Sequence, residues 1–225
     1  MSPRGKIEVI ETSAVLSFFS MSLLSLLVVS HRGGVEATFL VFIPALFLAH
    51  YLADLLSGLI HWVCDSFGCA STPFWGPALI GPFRRHHDDP SDITKITLAE
   101  NLGSSAMAGL AALLLVSYEL MSQDPYSQLQ TFGMLLYILF VQLAVLSNLF
   151  HRWAHLREKD KDQAIHFLQN LNLVIRTENH WRHHKQNFRV NYCISNGWAN
   201  QVTNRISWVQ IENFVAKFGV KTNFQ

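Results

Sequence analysis

Apolar residues along this chain gather in long unbroken runs, with neither the alternation of a half-buried strand nor the two-faced pattern of a soluble helix. Four stretches carry almost no Asp, Glu, Lys or Arg: Thr12–Ser30, Ala37–Cys64 interrupted only by Asp54, Asn101–Tyr118, and Pro125–His151, most apolar from Phe132 to Phe150. Each comes close to or exceeds the roughly 20 apolar residues that a helix needs to cross a bilayer. All are too long for ordinary strands. The pattern predicts an all-α integral membrane protein with four transmembrane helices, over about residues 12–30, 37–64, 101–118 and 132–150. A polar cap would be built from 65–100 and 151–225, the whole making a single domain over 1–225. Arg4 and Lys6 ahead of the first run fit a signal peptide, but no small-x-small cleavage site follows and three further runs do, so the first is read as a span.

Charge gives the orientation. With four spans, the N-terminus, the Asp65–Glu100 loop and everything beyond His151 share one side. Of the 17 Lys and Arg residues only Arg32 lies on the other. By the positive-inside rule this multi-pass protein is expected to have both termini in the cytoplasm, or in the stroma if it is plastidial. The membrane expected is the endoplasmic reticulum in a eukaryote or the inner membrane in a bacterium, with a plastid membrane as the third option. Composition agrees: of 225 residues 50% are hydrophobic and only 15% charged, against about 25% charged in soluble domains. A net charge of +1 offers no field for nucleic acid.

The segment Phe67–Phe83 is apolar yet holds Pro73, Pro77 and Pro82, which argues against a regular helix. Phe74, Trp75 and Phe83 suit the aromatic layer of a membrane interface, so the segment is read as lying on or dipping into the bilayer. Cys64, Cys69 and Cys193 have no zinc-type spacing and are expected as free thiols.

Chemistry enters with histidine. His61 and Asp65 stand four apart, His86 and His87 are adjacent, His151 and His155 are four apart, and His180, His183 and His184 form HWRHH. Residues i and i+3 or i+4 share a helix face, so each helical group can direct its donors one way. Residues 37–64 as a helix reach about 42 Å at 1.5 Å per residue, longer than the roughly 30 Å hydrocarbon core. The end bearing His61 and Asp65 should therefore project past the lipid tails, close to the head groups. Eight imidazoles and one carboxylate exceed the four ligands of a structural zinc site, and HExxH and CxxC are absent. Imidazole also suits iron, copper and nickel. Enough donors for two ions, with positions left for oxygen, favour a pair of irons. His31 and His166 are single residues and receive no role, and His50 lies too far along its helix from His61 to share an ion. Asp54, seven residues before His61 on nearly the same face, is expected to support the site from a hydrogen-bonded or protonated position rather than to ligate.

The run ADLLSGLIHWVCDSFG, then STPFWGP, PFRRHHDDPSDIT, HRWAH, HWRHH and NYCISNGWAN, resembles the Kua/CarF lipid desaturases over roughly residues 48–215. That family includes enzymes acting on plasmanylethanolamine and on phosphatidylglycerol in plastids. The resemblance implies a non-haem di-iron, O2-dependent membrane desaturase whose metal site takes His61, Asp65, His86, His87, His151, His155, His180, His183 and His184. It also implies an external electron donor, cytochrome b5 or ferredoxin by analogy, and a phospholipid substrate. Arg84 and Arg85 beside His86 are read either as contacts for the lipid phosphate or as positive-inside residues with no substrate role. The plasmalogen branch has further histidines where this chain has Asn172, Asn179 and Phe188, which leaves the substrate open. Three outcomes follow from this reading: a vinyl ether made from an alkyl ether phospholipid, a desaturated acyl chain on phosphatidylglycerol, or hydroxylation. A metal-binding scaffold without catalysis is the non-enzymatic alternative.

Overall fold

The computed structural model describes residues 3–186 and 188–223. Among them the chain is helical, with one isolated antiparallel bridge between Phe67 and Thr222. It divides into two compact units: one takes the chain up to Ala53 together with Thr97–Leu149, the other Asp54–Ile96 and the chain from Phe150 onward.

The first unit holds α1 (Pro3–Gly33), the first part of α2 (Val35–Ser66), α5 (Leu98–Leu114), α6 (Ser117–Met121) and most of α7 (Gln128–His155). α1, α2 and α7 are each long and apolar enough to cross a membrane. Their outward faces carry large apolar side chains, Phe39 at 82% exposure among them, as expected where lipid rather than water is the solvent. Inside, Phe18, Leu113, Leu135 and Ile138 are buried. α1 and α5 approach closely because α5 presents small residues to α1: a Cβ on Gly103 would lie 2.7 Å from Glu11, and one on Gly109 2.6 Å from the Phe18 ring. Such contacts suit helices in lipid, where packing rather than water exclusion drives association.

The third expected span is shorter than its sequence run. α5 has 17 residues, about 25 Å of helix, and ends where the Tyr137 hydroxyl donates to the Ala112 carbonyl at 2.8 Å. The chain tightens there, Leu115 N–H bonding Ala112 and Val116 N–H bonding Leu113, before α6 begins. Arg32, alone among the basic residues in its stretch, ties the α6–α7 connection to α1. Its guanidinium donates to the Glu119 and Asp124 carbonyls at 2.5 and 2.7 Å, and its carbon sits 3.7 Å from the centre of the Tyr126 ring.

The second unit holds the rest of α2, α3 (Gly81–Asp88), α4 (Asp92–Lys95), the end of α7, α8 (Gln163–Asn170), α9 (Thr177–Lys185), α10 (Asn200–Thr203) and α11 (Trp208–Ala216). The proline-rich segment is more regular than its composition suggests. A π-helical turn, Gly76–Ile80, runs directly into α3. Pro77 and Pro82 sit in the first turns of these two helices, where proline's fixed φ is accommodated. Phe74 and Trp75 are exposed, but Phe83 is buried with Cys64, Ile80 and Ile194, so it belongs to the core and not to an interface layer. The C-terminal part closes on the end of α2: Glu212 accepts from Trp62 Nε1 and Ser66 Oγ at 3.1 and 2.9 Å, and Trp208 packs on Trp62.

The packing of Gly109 sets a stability test. Gly109→Ala forces its methyl into Phe18 and Val145 and should cost about 1–3 kcal/mol as overpacking. Gly133→Ala, on α7 with open space around it, should leave thermal unfolding in detergent unchanged or slightly raised.

Candidate metal centre

Four helices of the second unit bring the histidines together. α2 supplies His61 and Asp65, α3 His86 and His87, the last turn of α7 His151 and His155, and α9 His180, His183 and His184. His61, His86, His151, His180, His183 and Asp65 are buried; His87, His155 and His184 are half-buried. Their donor atoms sort into two groups of four. One is His86, His151, His155 and His180; the other is His61, Asp65, His87 and His183; within each, the ligand atoms lie within 4.8 Å of one another. His184 forms a third set with His86 and His87, one drawn from each group. Adjacent positions on α3 point about 100° apart, which is how His86 and His87 reach different groups.

The first group is all imidazole. The Nε2 atoms of His151, His155 and His180 form a triangle with sides of 2.9, 3.2 and 2.8 Å. A ring N–H points at one neighbour, so three such nitrogens cannot all be satisfied by one another. His86 Nε2 is buried with no hydrogen-bond partner. In the second group the Asp65 carboxylate lies 3.4–3.6 Å from ring nitrogens of His61, His87 and His183, and neither of its oxygens has a hydrogen bond. Buried donors left unpaired in this way are costly, and a cation among them relieves every one. The donor set therefore fits metal: four imidazoles on one side, three imidazoles and a carboxylate on the other.

Electrostatics keep the rings in the ligating form. Burial first, and neighbouring imidazoles second, hold His86, His87, His180 and His184 well below the ordinary histidine range, His87 at about 2 and His184 at about 3. At neutral pH these rings are uncharged and carry a free lone pair.

Asp54, expected to support the site without ligating, lies in neither group. Its Oδ1 accepts the N–H groups of Ser195, Asn196 and Gly197, each at 3.0 Å, and its Oδ2 that of Ala199 at 2.9 Å. Ser57 Oγ, one turn along α2, accepts the Ile194 N–H at 3.1 Å. At Gly58 the chain passes so close that a Cβ would sit 2.5 Å from Cys193 Sγ. NYCISNGWAN is thus a strap laid along the α2 face that also carries His61. The sequence reading found the motif but not this use, because its contacts are backbone N–H and carbonyl groups that residue types do not reveal.

Arg84 donates to the carbonyls of Cys64, Phe67 and Gly68 at 3.1, 3.0 and 2.7 Å, closing the end of α2. Arg85 is exposed, with Asp92 3.8 Å away. Phe188 stacks on His87 with ring centroids 4.2 Å apart. His31, His50 and His166 join none of the groups.

A family model described as the lipid desaturase domain matches residues 50–224. The chain belongs to the lipid desaturase family. Among curated relatives of this chain, plasmanylethanolamine desaturase of Myxococcus xanthus is 30% identical over 87% of the chain and 66% of that protein. Plasmanylethanolamine desaturase 1 of Mus musculus is 30% identical over 73% of the chain and 61% of its own length. Fatty acid desaturase 4-like 1, chloroplastic, of Arabidopsis thaliana is 31% identical over 80% and 59%. The chain thus spans somewhat less than two thirds of these relatives' length. No solved structure matches it.

The three cysteines are free thiols outside these groups of candidate ligands. Burial pushes the Cys193 thiol up. Exposed Cys69 instead has its pKa lowered to about 7, chiefly by the Ser71 hydroxyl 3.1 Å away and then by Thr72. Its thiolate therefore becomes the major form as pH rises through 7. Iodoacetamide should label Cys69 before Cys193, at a rate that climbs through neutral pH and levels off above it. Ser71→Ala should shift that profile to higher pH; mass spectrometry of the labelled peptides reads both effects.

Proposed function

We propose that this chain is an O2-dependent membrane lipid desaturase with a non-haem di-iron centre. Its reaction would be the conversion of an alkyl ether phospholipid into the vinyl ether of a plasmalogen. The observation that carries the reading is the pair of four-donor groups, which lie side by side with His61 and His151 ring centroids 5.8 Å apart. One ion would be held by His86, His151, His155 and His180, the other by His61, Asp65, His87 and His183, with His184 next to both. Relatives named plasmanylethanolamine desaturase support the ether substrate; the chloroplastic fatty acid desaturase supports acyl desaturation of phosphatidylglycerol as the second reading.

Bound redox-active metal supplies, with O2, the oxidising power to remove hydrogen from an unactivated alkyl carbon, which no side chain provides. Overall, –CH2–CH2– becomes –CH=CH– as O2 takes up the two substrate hydrogens, two external electrons and two protons, leaving as two waters. Cytochrome b5 or ferredoxin is the proposed donor.

The chain's own part is to bind, orient and keep water out. His87, His155 and His184, the half-buried members, mark the side from which the centre is reached. Trp181 and Phe188 flank that side, with ring centroids 5.5 and 5.7 Å from His184, and give it an apolar rim suited to an alkyl chain. The Phe83 ring, 5.0 Å from His61, covers the buried side. Arg85, its guanidinium not committed to carbonyls, is the proposed contact for a lipid phosphate. In this reading α5 with α6 serves as the third of four spans and both termini lie in the cytoplasm. With the ligand-bearing end of α2 beyond the lipid tails, carbons near the glycerol backbone are the natural targets.

Lipid analysis decides the outcome. A host lacking vinyl ethers but supplied with alkyl ether phospholipid should gain acid-labile lipid that releases aldehyde when it expresses the wild-type chain. His61→Ala and His151→Ala should each lose at least about 100-fold of that product, as expected for groups acting as a unit. A new double bond in phosphatidylglycerol instead would move the reading to the acyl substrate, a gain of one oxygen by mass to hydroxylation. Unchanged lipids with no bound metal would leave a scaffold.

A further inference from the structure

The strap does more than cross α2. His61 Nδ1 lies 2.9 Å from the Tyr192 carbonyl and His183 Nδ1 2.8 Å from the Val190 carbonyl. A carbonyl oxygen only accepts, so Nδ1 is the protonated nitrogen in both rings. Nε2 is then left with its lone pair, turned toward Asp65 and His87. Both rings belong to the same group of four. His180, in the other group, has its Nδ1 buried without a partner. The two carbonyls are held in place from α2 and α10. Asp54 gathers four N–H groups at Ser195–Ala199, Ser57 holds Ile194, and Asn200 Oδ1 accepts the Cys193 N–H at 3.0 Å. Gly197 makes the tight passage possible with φ of +82°.

We infer that the strap Val190–Ala199, seated on the Asp54 carboxylate, sets the orientation and tautomer of His61 and His183 and so governs one half of the metal centre; the strap also ties α9 through the Asn179 carbonyl, but it bonds no ring of the half made by His86, His151, His155 and His180. Asp54 is a positioning residue: it touches no ligand atom and acts through two backbone carbonyls about 140 residues along the chain from it. The inference rests on the metal-centre reading for its consequence, though not for its geometry.

Two measurements on the full-length protein test it. The first is 15N NMR of histidine-labelled, metal-free protein, assigned with single histidine variants. Wild type should show Nδ1–H tautomers for His61 and His183. Asp54→Ala should turn those two into tautomer mixtures and leave His151 and His155 as they were. The second is titration with ferrous iron in the absence of oxygen. Asp54→Ala should weaken one ion about 10–100-fold, the usual effect of losing a group that orients a ligand, and leave the other at wild-type affinity. The loss should be non-additive with His183→Ala and additive with His155→Ala. Equal weakening of both ions, or wild-type tautomers in Asp54→Ala, overturns the inference. Should Asp54→Ala not fold, Asp54→Asn and Ser57→Ala carry the same test. Each must affect the same ion and the same two rings, and an effect on neither overturns it. A wild-type chain that binds no iron sinks the metal reading instead, and the tautomer measurement still judges the strap.

Discussion

Lone pairs that face one another in a dry interior repel, and only a shared cation or proton relieves them. Around this centre, Nε2 atoms approach to 2.8–3.4 Å and an aspartate lies among them with both oxygens unbonded. Protonation is a poor remedy, because burial and mutual repulsion oppose charge on His86, His87, His180 and His184. In the proposed reading the remaining remedy is metal, and the arrangement of the second unit fits it. α3, the end of α7 and α9 each surrender a polar face to the interior, and the surrounding loops supply carbonyl and carboxylate partners that keep that face in order.

α2 organises this unit. Asp54, Ser57, Gly58, His61 and Asp65 recur at three- and four-residue steps along one face, and each has a distinct task. Asp54 and Ser57 anchor backbone N–H groups, Gly58 leaves room for Cys193, and His61 and Asp65 present donors. A carboxylate buried on an apolar helix is expensive in isolation. Four N–H donors on Asp54 offset that cost, and the same bonds hold the chain that orients the rings. A conflict with local hydrophobicity therefore marks a working element rather than a defect.

Much of this was legible in the residues. Long apolar runs gave the helices, and the i, i+4 pairs His61/Asp65 and His151/His155 converge because helix periodicity alone puts them on one face. The five residues of His180–His184 lie within one helix, as their spacing predicts. Other features were not legible. Which histidines fall into one group of donors depends on how α3 is turned against its neighbours, and adjacent His86 and His87 part company for that reason. Phe83 reads as an interfacial aromatic but packs beside His61. Arg84 reads as a phosphate contact, yet its donors meet three carbonyls. The strap's role is carried by backbone atoms, which every residue type possesses, so no residue pattern announces it. The third apolar run contains no signal for the Tyr137 hydroxyl that bonds the last turn of its helix.

Anomalous scattering at the iron edge, from crystals of the protein purified with iron, tests the central claim most directly. The account predicts two separate iron peaks, one among His86, His151, His155 and His180 and one among His61, Asp65, His87 and His183. Density elsewhere, a single peak outside these donors, or rings that turn away from one another with no metal between them would contradict it.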